Sequence, residues 1–190
     1  MLSWRISKLI PNTRMLLILA LVSFFIASPK AALSEDNTEQ VKAIFLYNLL
    51  NYISWPKSKI SAVKNLCILG SNTFGDAFEY IKLKSKNRDL EISVSFITPS
   101  DNLDIETIKM CHMLYIAIPA NAKNIIKTHK KHLIKNHILT VSDTKGFSQI
   151  GCVELQHQED KISIIINRNK LKKYKLKANS RLLRVAKVVE

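Results

Sequence analysis

Apolar runs of strand length alternate with amphipathic, helix-like stretches along most of the chain, and this alternation restricts the fold more than any other feature. Leu66–Gly70 and Met113–Ile118 are continuous apolar runs, the pattern of strands buried on both faces. Ile92, Val94 and Phe96 alternate with Glu91, Ser93 and Ser95, the period of a half-buried strand. Between them, Asn72 or Thr73 can cap a helix over about Phe74–Lys84. After Pro119, Ala122–Lys135 reads as a basic amphipathic helix, and His137–Val141 as a strand closed by the turn Ser142–Gly146. Cys152–Leu155 and Ile162–Ile166 form a hairpin joined near Gln158, Glu159 and Asp160. Asn179 or Ser180 caps a last helix carrying Leu182, Leu183, Val185, Ala186 and Val189. The expected fold is therefore α/β: a single domain with a central mixed sheet flanked by helices, ending in a hairpin and a helix.

A helix precedes the first strand. Glu35, Asp36 and Glu39 suit its first turn, where carboxylates complement the helix dipole. Val41, Ile44, Phe45, Leu49, Tyr52 and Ile53 recur at helical spacing, and Leu46, Tyr47 and Leu50 fall on a second face. Such a helix is buried on more than one side, or else one face meets another chain. Trp55-Pro56 ends it, because the residue before proline avoids helical backbone angles.

Residues 1–34 contain no acid. Arg5, Lys8 and Arg14 lead into an apolar run, Met15–Ala27, followed by the small residues Ala31, Ala32 and Ser34. That order is a secretory signal peptide, with cleavage after Ser34 and export out of the cytosol. An uncleaved anchor is the alternative, although the run falls short of the roughly 20 apolar residues that span a bilayer. Cleavage would leave residues 35–190 as the working domain. Four of the 29 Lys+Arg would go and all 15 Asp+Glu would stay, a net charge of +10.

Export would also decide how the charge is read. Lys161–Glu190 holds ten Lys+Arg and one acid, which in a cytosolic chain suggests nucleic acid. Outside the cytosol, acidic protein surfaces, anionic lipid headgroups or cell-wall polymers are the fitting partners. Arg168, Arg181 and Arg184 stand out, because a guanidinium pairs bidentately with a carboxylate. Motifs for catalysis are missing: no G-x-S-x-G elbow, no P-loop, no G-x-G-x-x-G, and no cofactor signature. His129 and His132 could share a helix face, but four lysines crowd them and oppose a metal. The Gly70–Gly75 turn leads from a strand into a helix, which leaves a small-ligand or anion-binding module as a second reading. A secreted hydrolase is a third reading, without a defensible nucleophile. The three cysteines are Cys67, Cys111 and Cys152. In an oxidising compartment, Cys67 and Cys111 could pair between neighbouring strands, or all three could stay reduced.

Six segments in order resemble the YfiR-like family of periplasmic proteins. They are Val41–Asn48 with Trp55-Pro56; Cys67–Gly70 with Phe74–Ala77; Cys111–Ile116; Ile138–Asp143 with Gly146-Phe147; Ile164–Asn167; and Ser180–Ala186. The resemblance runs from Val41 to Val189 and implies a regulator, not an enzyme. It would bind the periplasmic domain of a membrane diguanylate cyclase and restrain cyclic-di-GMP synthesis. An outer-membrane, peptidoglycan-binding lipoprotein could sequester it, and it would be a homodimer. The resemblance further implies a Cys67–Cys111 disulfide; for a regulator of this kind the candidate partner contacts are Phe147 beside Gly146, Glu154, Asn167, Arg168 and Arg181. Lys145 stands where some relatives carry a second-bridge cysteine, leaving Cys152 without a partner in the chain.

Overall fold

The computed structural model describes residues 35–85, 91–99, 103–158 and 161–190. The expected signal peptide and the hairpin turn at Glu159 and Asp160 lie outside the described residues. Helix α1 (Glu35–Tyr52) runs directly into the short strand β1 (Ile53–Ser54). Then come β2 (Val63–Leu69), α2 (Ala77–Ser85), β3 (Glu91–Ile97), α3 (Ile105–Met110) and β4 (Met113–Ile116). The second half holds α4 (Pro119–Lys135), β5 (Leu139–Ser142), β6 (Val153–Gln158), β7 (Lys161–Asn167), α5 (Arg168–Lys173), β8 (Lys177–Ala178), α6 (Ser180–Val185) and β9 (Lys187–Val189).

The central sheet has seven strands in the order β3-β2-β4-β5-β6-β7-β9. Every neighbouring pair is parallel except β6 and β7, the expected antiparallel hairpin, so the sheet is mixed. All four residues of β4 and all four of β5 are buried, as strands covered by helices on both faces should be. On α1, Ala43, Leu46, Tyr47, Leu49 and Leu50 enter the core, while Val41 and Ile44 stay exposed. Cys67 on β2 and Cys111 before β4 are joined by a disulfide, their Cα atoms 5.8 Å apart. Parallel pairing of β2 with β4 brings these two positions together.

Several boundaries differ from the sequence reading, each for a local reason. Pro119 opens α4 instead of merely closing β4, because its fixed φ suits a first helical position. His137 is not in a strand. It adopts left-handed backbone (φ 55) at the end of α4, where Ile138 N–H reaches back to Leu133 O. The last helix stops at Val185, and Val189 lies in β9, which borrows its hydrogen bonds from β7. Helix α3 was not anticipated; Asp104 caps it by accepting from Glu106 N–H and Thr107 N–H.

Candidate functional site

An open concavity lies where α1 ends. Strand β1 leaves the helix and pairs with β8, Ile53 opposite Ala178 and Ser54 opposite Lys177. Beside them Asn167 starts α5, its Oδ1 accepting from Lys170 N–H at 2.8 Å. Lys175 (φ 58) ends the turn after α5 and sends Leu176 back towards the core. A groove of about 840 Å³ results, floored by Trp55, Ile166, Leu171, Leu176 and Leu183. Trp55 is fixed by its Nε1–H, which donates to His137 O at 3.0 Å, and its ring stands edge-on to His112.

Five cations rim this apolar floor: Lys57, Arg168, Lys172, Lys175 and Lys177. All are exposed, and among the described residues none forms an ion pair. Like charges gathered at the mouth of a groove, with low-dielectric walls beneath, attract and orient an anion. The floor rewards an apolar group carried with that anion.

The five residues singled out in the sequence do not form one surface. Arg168 is on the groove rim and Arg181 is exposed on α6. Phe147, Glu154 and Asn167 are buried, 1, 2 and 4% exposed respectively. They hold a loop together. Gly146 adopts left-handed backbone (φ 80), which glycine does at little cost, and turns the chain into a 3-10 segment at Phe147–Gln149. The Glu154 carboxyl accepts Gly146 N–H, Ser148 N–H and Ser148 Oγ–H at 3.0, 3.0 and 2.8 Å. Asn167 Nδ2 donates to Ser148 O at 2.9 Å, so the residue that caps α5 also ties down this loop. Against Phe147 sits Gly151, where any β-carbon would overlap the aromatic ring.

The Gly70–Gly75 turn also borders a cavity, of about 400 Å³, at the carboxyl ends of β2, β4 and β5. It lies where the strand order reverses, the usual ligand crevice of an open α/β sheet. Yet Glu39 and Asp143 both face it and share a single ammonium, that of Lys42. Those carboxylates outweigh the burial that opposes a charged Lys42 and raise its pKa. Burial, reinforced by the Asp143 charge, raises that of Tyr115. Two carboxylates against one ammonium give this turn a net negative lining that disfavours an anion. Cys152 is sealed in the core, its thiol pushed up to about 11 chiefly by burial, so it is unreactive at neutral pH.

The sequence did not single out Trp55, Lys172 or Lys175 as contact residues. The available signal was the stretch after Asn167, where lysines surround two isolated leucines, Leu171 and Leu176.

Fold and groove together make a layered α/β domain with a recessed apolar surface inside a cationic collar. The chain belongs to the YfiR/HmsC-like family, whose model matches residues 39–187. No curated protein matches the chain. Among solved structures it is similar to the ABC domain from Streptococcus pneumonia in complex with L-Trp, with a TM-score of 0.51 at 11% identity. It is also similar to a conserved domain protein from Vibrio cholerae O1 biovar El Tor, with a TM-score of 0.50 at 9% identity. Each likeness covers 80% of this chain and 60% of the other. At such identities the likeness is one of fold alone. Among the described residues, no helix is long and apolar enough to cross a membrane.

Proposed function

We propose that the protein is a periplasmic regulatory binding protein, exported by residues 1–34 and working through residues 35–190. It restrains an inner-membrane diguanylate cyclase by binding that enzyme's periplasmic sensor domain. The observation that carries this reading is the family match across residues 39–187. The resemblance to YfiR-like regulators implies a binding role, and the reading assigns this chain that role. The groove supplies a physical means. An acidic segment of the sensor domain bearing an apolar side chain satisfies both the Lys/Arg rim and the apolar floor. Arg168 is the guanidinium on the groove rim to pair with its carboxylates, and Arg181, exposed on α6, offers a further contact outside the groove. Phe147, Glu154 and Asn167 serve this contact indirectly, by fixing the backbone from which α5 and Arg168 project.

Restraint follows from differential affinity. A regulator that binds the inactive sensor tenfold more tightly than the active one shifts that equilibrium by about 1.4 kcal/mol. Association as a homodimer, and capture by an outer-membrane peptidoglycan-binding lipoprotein, come with the same reading. Redox control through a second disulfide does not, because Cys152 has no remaining cysteine to pair with in its own chain.

Cellular cyclic-di-GMP tests the proposal. Deleting the gene should raise it. Complementation with the wild-type chain should lower it again, and complementation with Arg168→Glu/Lys172→Glu should not. A deletion strain with unchanged cyclic-di-GMP across envelope stresses would contradict the reading.

A further inference from the structure

Helix α4 carries a second cationic surface whose chemistry differs from that of the groove. Lys123, Lys127, Lys130, Lys131 and Lys135 are all exposed. At 100° per residue these five fall within an arc of about 140°, along a helix about 26 Å long. The opposite side, Ala122, Ile126 and Leu133, is buried against the sheet. No acid occurs anywhere in α4, and among the described residues none of the five lysines has an ion-pair partner. Ile134 falls inside the arc but packs against the core, so the exposed part of the arc offers no apolar anchor. It also contains no arginine and no aromatic residue.

What is missing from this face selects the partner. Protein interfaces are depleted in lysine at their cores and draw their energy from aromatic, arginine and apolar anchors, none of which this arc presents. Single-stranded nucleic acids are gripped by stacking on aromatic and guanidinium planes, also missing here. A row of lysines is an array of compact point charges that demands no fixed geometry of its counter-charges. Laterally mobile anionic headgroups provide that kind of counter-surface. We propose that the lysine face of α4 seats the protein on an anionic lipid surface.

The position of α4 adds a consequence. Its C-terminal end abuts the groove, because Trp55 donates to His137 O and His137 Nδ1–H donates to Tyr174 O at 3.1 Å. A protein adsorbed through α4 holds its groove near the membrane plane. Adsorption itself does not depend on the identity of the groove's partner, so either proposal can fail without the other.

Cosedimentation of the full chain with lipid vesicles tests the inference. At low salt the protein should partition onto phosphatidylcholine vesicles containing phosphatidylglycerol, leave them at high salt, and ignore pure phosphatidylcholine. Each lysine close to an anionic surface strengthens binding about fivefold, so Lys123→Gln/Lys127→Gln/Lys131→Gln should weaken partitioning about a hundredfold. Lys161→Gln/Arg184→Gln/Lys187→Gln removes the same charge from α6 and the β7–β9 edge and should weaken it far less. Matching thermal midpoints show that neither triple variant has unfolded. Equal losses in the two triples would reduce the effect to net charge and overturn the inference. Equal binding to uncharged vesicles would overturn it, as would capture of soluble polyphosphate, but not vesicles, by the same face.

Discussion

Around Glu154 the carboxyl and the loop amides have partners inside the chain; around Arg168, just past the end of β7, the rim cations have no ion-pair partner among the described residues. The Glu154 carboxyl collects three donors, and Asn167 serves the loop with one end and α5 with the other. The groove rim gathers five like charges over an apolar floor and leaves them to solvent. Self-satisfied groups spend their interaction free energy on holding a backbone shape. Unsatisfied ones keep it for another molecule. The two regions meet at Asn167-Arg168, where the last residue of the rigid network is followed by the first residue of the rim.

Substitutions can separate the two roles. The Cys67–Cys111 bond, which belongs to neither region, sets the scale. Its cysteines lie 44 residues apart, and in the chain-entropy model replacing both with alanine lowers stability by about 4 kcal/mol. Urea denaturation measures that loss, and the groove should bind its partner unchanged wherever the variant stays folded. Next comes Glu154→Ala, which strands the buried Ser148 amide and hydroxyl and the half-buried Gly146 amide and should cost about 3 kcal/mol by the same assay. Asn167→Ala removes a helix cap and should cost about 1–2 kcal/mol. It is also the substitution that tests the junction, because loosening the first turn of α5 should weaken partner binding beyond what the stability loss explains.

A smaller effect should appear with pH. His112 is neutral in the fold: its Nδ1 accepts Asn65 N–H at 3.0 Å and its Nε2–H donates to Lys59 O at 3.1 Å. Burial, helped by the charges of Lys59 and Lys64, lowers its pKa from the ordinary 6.5. The unfolded chain therefore takes up this proton first. Stability contributed by neutral His112 is present above about pH 6.5 and is lost as pH falls through the lowered folded value. Thermal midpoints of wild type and His112→Gln should converge on acidification. The smallest stability effect is expected for Arg168→Glu/Lys172→Glu, within about 0.5 kcal/mol, because both side chains are exposed and unpaired.

Long apolar stretches made much of this fold legible from sequence. The runs 66–70 and 113–118 offer nothing polar to water on either face, and they became β2 and β4. Short elements were less legible, because their identity depends on neighbours distant in sequence. Strand β9 exists through its pairing with β7, and α5 shows only one buried apolar residue, Leu171. The site divides along similar lines. Arginine at 168 could be marked from its chemistry, but the floor beneath it combines Trp55 with leucines more than a hundred residues later, and no periodicity connects them. Glu154 could be singled out as well, though not its orientation. Its neighbours Val153 and Leu155 are both buried, and the sheet is covered at that point on both faces.

The claim that an uncompensated cationic groove does the work is tested most directly by titrating the purified protein with the isolated periplasmic domain of a membrane diguanylate cyclase from the same cell. The account predicts a saturable complex that weakens as salt rises and is lost in Arg168→Glu/Lys172→Glu while the thermal midpoint stays at the wild-type value. A complex of undiminished affinity in that variant would contradict it.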